Sequence, residues 1–167
     1  MRSRFMLPIL LLTLATACRS IPSPFPLAAE PTEIAAMAGE WEGEYFSPTT
    51  GRAGSIHFKI TAGKDTADGD VVMVPRGTTV PLRPAEMSGT QLTRSLAEVL
   101  TIRFAQIDHG RVSGTLTTYR DPECGCAMYT TFTGRMTNDD TMEGTFVATS
   151  PDLRIPQRGN WKVTRKH

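Results

Sequence analysis

Val112-Ser113-Gly114-Thr115-Leu116 and Met142-Glu143-Gly144-Thr145-Phe146 carry closely similar text in two separate places. Each alternates apolar and polar residues, and the two-residue period of a strand puts Val112, Gly114 and Leu116 on one face, as it does Met142, Gly144 and Phe146. A glycine on the inward row lets a sheet coil without a side-chain collision. Its recurrence therefore points to a sheet that closes on itself rather than to a flat sandwich.

Outward from these two stretches the same texture continues. From residue 40 onward, short alternating segments rich in Thr, Val, Ile and aromatics are separated by glycines and by Asn-Asp and Asp-Pro turn signals. Strands are predicted over 41–47, 55–61, 69–74, 79–82, 99–107, 111–119, 127–136, 141–149 and 159–165. Pro81 and Pro84 restrict the fourth to an edge or a loop. The joints at 108–110 and 137–140 are short enough to force antiparallel hairpins, and the crossover segments that parallel pairing needs are missing. The expected fold is all-β: an antiparallel meander of eight to nine strands closed into a small barrel, a count at which closure removes the exposed edges. Residues 91–100 put Leu92, Leu96, Val99 and Leu100 on one helical face and read either as a helix or as a loop entering the next strand.

The first 36 residues are of another kind. Arg2 and Arg4, the apolar run 5–14 and the small residues Ala15, Thr16 and Ala17 make the three-part layout of a secretory signal over 1–17. The run is shorter than the roughly 20 residues a spanning helix needs. Leu14-Ala15-Thr16-Ala17-Cys18 resembles the lipobox of bacterial lipoproteins, which implies an acylated Cys18 as the first mature residue and a membrane partner reached through that lipid. Arg19 in place of Asp implies, by resemblance to Gram-negative sorting, the outer membrane. Ala15-x-Ala17 also satisfies ordinary signal cleavage, so a secreted or periplasmic soluble protein is the alternative. Pro22, Pro24, Pro26 and Pro31 lead us to expect an extended, solvated tether over 18–36. The stretch 31–37 is long enough for a short helix that Thr32 could cap. The barrel domain is expected over 37–167.

Removing 1–17 takes away two arginines, leaving 16 basic against 17 acidic side chains in 150 residues. Near-neutrality gives no electrostatic footprint for nucleic acid, and the length fits one domain with a core of its own.

Gly39-Glu40-Trp41 opens the first barrel strand, and the last ends Gly159-Asn160-Trp161-Lys162-Val163-Thr164-Arg165. In these features the chain resembles a compact lipocalin-like barrel of the calycin type. The resemblance implies a barrel closed at one end by Gly39, Trp41, Trp161 and Arg165, with the tryptophan under a basic residue. Arg165 is the first candidate and Arg158 the second.

Chemistry is sparse. His57 falls in an alternating strand, His109 in a turn and His167 at the end, and none has a partner at motif spacing. There is no Gly-x-Ser-x-Gly elbow and no phosphate loop. No enzymatic activity, cofactor or bound metal is expected. The most distinctive loop is Asp121-Pro122-Glu123-Cys124-Gly125-Cys126. Its two thiols are expected to form a disulfide, either inert or labile, with a soft-metal site as the alternative.

Two functional readings stand. In one, the barrel holds a small apolar ligand lined by Tyr45, Phe58, Phe104, Tyr119, Met128, Phe132 and Phe146, in room left by Gly114 and Gly144. In the other, the barrel is filled, and the protein is a structural or protein-interaction lipoprotein acting through its loops.

Overall fold

A computed structural model of the chain describes residues 22–74, 98–121 and 124–167. In chain order these form β1 (Pro24–Ala28), α1 (Pro31–Met37), β2 (Gly39–Ser47), β3 (Arg52–Ile60), β4 (Thr66–Val74), β5 (Glu98–Asp108), β6 (Arg111–Leu116), β7 (Tyr119–Arg120), β8 (Ala127–Asn138), β9 (Thr141–Thr149) and β10 (Gln157–Lys166). From β2 to β6 each strand pairs antiparallel with the next. β6 then pairs with β8, β8 with β9, β9 with β10, and β10 returns to β2. The ring is closed, and with β1 it is a mixed barrel of nine strands, β7 lying outside it on β8. The expected strand over 79–82 and residues 91–97 of the expected helix lie outside the described residues. Residues 98–100 open β5, and exposed Val99 beside buried Leu100 follows strand alternation, not a helical face.

The tether expectation is corrected at β1. Prolines 24 and 26 alternate with Phe25 and Leu27, so an extended segment turns both prolines outward and both large side chains into the core, each 4% exposed. Burying two such side chains is worth about 1.5–3 kcal/mol apiece, which outweighs the ladder bonds that the prolines cannot donate. β1 wedges between β4, to which it is antiparallel, and β5, to which it is parallel. The barrel is therefore not purely antiparallel. The crossover that parallel pairing requires is supplied by α1 and β2 to β4.

Helix α1 forms where it is expected, but Thr32 does not cap it. Glu30 holds the cap position without a side-chain bond, and Pro31 sits in the first turn, where a missing N–H is no loss. Ile34 and Met37 bury its inner face.

Strand register explains the glycines. Gly54 lies opposite Tyr45, Gly114 opposite Phe132, Gly144 opposite Trp161 and Gly159 opposite Phe146. A Cβ on any of them would come within 2.4–2.7 Å of the facing ring. Each glycine thus gives its volume to a cross-strand aromatic, which corrects the expectation that Gly114 and Gly144 leave ligand space. The sheet curves tightly because ring and glycine alternate across it.

Candidate functional site

The two ends of the barrel are built differently. At one end Trp41 is fully buried, its indole N–H donating to the Met37 carbonyl at 3.0 Å. Arg165 lies over the ring, its guanidinium carbon 4.6 Å from the centroid, and donates to the carbonyls of Ala38, of Ala36 at 2.9 Å and of Asp139 at 2.8 Å. Gly39 enters β2 at a φ of 142°, and the Arg165 stem packs against it. This is the arrangement expected of Gly39, Trp41 and Arg165, and the barrel is consistent with a calycin-like one. Arg158 is at the opposite end, exposed, with its carbonyl accepting from Ser47 at 2.7 Å. Trp161 is corrected as a closure residue. It sits farther along β10, where its indole N–H is shared between the Thr133 and Thr145 carbonyls at 3.2 and 3.3 Å and its ring walls the interior.

Between the ends lies a cavity of about 110 Å³. Its body is apolar: Ile56 and Phe58 from β3, Val71 and Met73 from β4, Leu100 and Ile102 from β5, Val112 and Leu116 from β6, then Phe132, Phe146 and Trp161. Polar side chains converge on it as well: Tyr45, Ser47, Thr50, Arg52, Tyr119, Thr130 and Gln157.

The centre of this polar group is a buried ion pair. Arg52 donates through both terminal nitrogens to Asp121, at 2.5 and 2.9 Å, with side chains 4% and 1% exposed. Gln157 donates to the same carboxylate at 3.2 Å, and the backbone N–H of Cys124 at 3.4 Å. Burial pushes the Tyr45 phenol well above its usual range; the nearby Tyr119 adds to the effect and Arg52 partly offsets it. Tyr45 is therefore a neutral hydroxyl at any physiological pH.

Of the seven residues expected to line a ligand, Tyr45, Phe58, Tyr119, Phe132 and Phe146 line the cavity, and Phe104 and Met128 do not. Phe104 is 38% exposed because an irregularity between Ile102 and Phe104 shifts the alternation of β5: Leu100 and Ile102 face inward before it, Ala105 and Ile107 after it. Met128 has the inward parity but belongs to a separate small cluster with Cys126 and Ala148. Sequence reading misses Arg52, and it places Asp121 in the cysteine loop without its pairing to Arg52. The signal for Arg52 is its parity: it shares the inward row of β3 with Gly54, Ile56 and Phe58, and a β3 begun at residue 55 leaves it in the turn.

The Cys124 and Cys126 sulfurs lie at disulfide distance, which fits the first of the two readings of this loop. The crosslink closes the turn that carries Asp121, whose N–H donates to the Cys126 carbonyl at 2.9 Å and whose carbonyl accepts from Gly125 at 2.7 Å. Among the described residues no cluster of three or more His, Cys, Asp or Glu is placed to hold a metal. His109 is an exposed turn residue against Asp108, His167 lies 3.3 Å from Asp140, and His57 is half-buried in β3. No helix among the described residues is long and apolar enough to cross a membrane, and Cys18 lies outside them. The chain matches no family model, no curated protein and no solved structure.

Proposed function

We propose that this is an exported envelope protein, anchored through a lipid on Cys18, whose barrel is a binding module for a small apolar ligand and carries out no chemistry. The observation that supports binding is the interior cavity of about 110 Å³, walled by aliphatic and aromatic side chains from strands around the barrel. An apolar cavity of about 150 Å³ takes up benzene, so this one suits a ligand near the size of a single ring.

Titration of the purified protein with benzene, followed by side-chain methyl NMR, tests the reading. One saturable site per chain is expected, lost in Val71→Phe, which places a ring in the cavity. A folded wild-type protein with no saturable site contradicts it and favours the second reading, a barrel acting through its surface. That reading draws support from the cross-strand rings that already fill much of the interior. The address has its own test: labelled fatty acid should enter the wild-type protein and not Cys18→Ser, and a wild-type protein that stays unlabelled rules out the anchor.

A further inference from the structure

We propose that the ligand is uncharged and hydroxyl-bearing, a phenol or a small alcohol, held with its apolar body among the aliphatic and aromatic walls and its hydroxyl at the Ser47 and Thr130 side chains. This rests on reading the interior as a binding site, and it goes further in naming what the polar side chains of that site recognise.

The argument begins with charge. Among the described residues lining the cavity, Arg52 is the one with a formal charge. That charge is not on offer to an anion, because both terminal nitrogens of Arg52 already face the Asp121 carboxylate and the pair is almost wholly withdrawn from water. A carboxylate ligand would bring a second negative charge beside Asp121 in a medium of low dielectric, and an ammonium ligand would bring a second positive charge beside Arg52. Both are disfavoured. Tyr45 contributes no charge either, since burial keeps its phenol protonated.

Hydrogen bonding then narrows the neutral choices. Ser47 Oγ donates its proton to the Arg158 carbonyl at 2.7 Å, and Thr130 Oγ1 donates to the Tyr119 hydroxyl at 3.4 Å. Both side chains line the cavity and both residues are buried. A hydroxyl oxygen whose proton is engaged remains an acceptor through its lone pairs. The complement is a ligand that donates one hydrogen bond, as an alcohol or phenol does and a hydrocarbon does not. The size of the cavity limits the body to about one ring.

Four probes of one shape and different heads separate the possibilities: benzene, phenol, benzoate and benzylamine, titrated into the intact protein and followed by methyl NMR. Phenol should bind about fivefold tighter than benzene, the worth of one net hydrogen bond. Benzoate and benzylamine should not bind at concentrations where benzene saturates. Thr130→Val together with Ser47→Ala should bring phenol down to the benzene affinity, and Asp121→Asn, which leaves Arg52 with an unbalanced charge, should admit benzoate. Benzoate as the tightest wild-type ligand, or phenol no tighter than benzene, overturns the inference while leaving the apolar cavity standing. No binding by any of the four removes both. The wild-type series decides the matter even where a variant fails to fold.

Discussion

At each end of the barrel an arginine is fixed in place, and the two differ in how far their partners are withdrawn from water. Arg165 lies across the face of Trp41, donates to three backbone carbonyls and stands 3.5 Å from the exposed Asp140 carboxylate, with its own side chain still 18% exposed. Arg52 is withdrawn from water beside a carboxylate that is itself buried. Aromatic faces and carbonyl dipoles hold a cation that keeps part of its hydration, so sealing an end this way costs little. A buried guanidinium needs a full countercharge, and its desolvation offsets most of what the pairing returns. The Trp41 end is therefore built for closure. The Arg52 end carries a polar feature that stability alone does not call for, and it lies where the cavity lies.

The comparison is broken most directly by removing one member of the buried pair. Arg52→Met or Asp121→Leu alone should destabilise the protein by about 3–5 kcal/mol in urea unfolding, because the survivor is a buried, uncompensated charge. The double variant should recover most of that loss. Strictly additive losses would mean that the two side chains are not coupled as the geometry shows.

Arg165→Ala should be milder, about 1–2 kcal/mol, since a partly solvated cation over a ring is worth that much and the carbonyls it leaves can reach water. A loss as large as that at Arg52 would erase the contrast between the ends.

Reduction of the Cys124–Cys126 disulfide sharpens the picture on the Arg52 side. A crosslink closing so short a loop contributes about 1–2 kcal/mol, and its removal should loosen the turn that presents Asp121. Amide exchange should rise at 124–126 and leave the Trp41 end unchanged.

The smallest effect is alkaline. The Tyr45 phenol titrates above the usual value of about 10 because of burial, so the folded state holds its proton where the unfolded state releases it. Stability tied to this group is intact below about pH 10 and declines as pH rises beyond it. Tyr45→Phe should flatten that decline. Equal alkaline sensitivity in both proteins would place the cause elsewhere.

The two ends also differ in how far the sequence discloses them. Gly39, Trp41 and Arg165 stand at strand ends in a recognisable spacing, and the hairpin glycines announce a curved sheet, so closure and the order of the meander are legible in the chain itself. The Arg52 end is not. Its ion pair joins residues 69 positions apart, one at a hairpin exit and one in a cysteine loop, and only the closed register brings them together. Phe104 escapes a reading by alternation because a bulge inverts parity without leaving a mark in composition. Prolines 24 and 26 conceal β1, since proline argues against a strand until the residues between are seen to be buried.

A crystal structure of the protein grown with phenol tests the central claim most directly, that the polar side chains facing the cavity mark a recognition site. We expect one phenol inside the barrel, its ring among Val71, Leu100 and Leu116 and its oxygen within hydrogen-bond distance of Ser47 or Thr130. Phenol found only on the outer surface, with the interior closed by its own side chains, would contradict it.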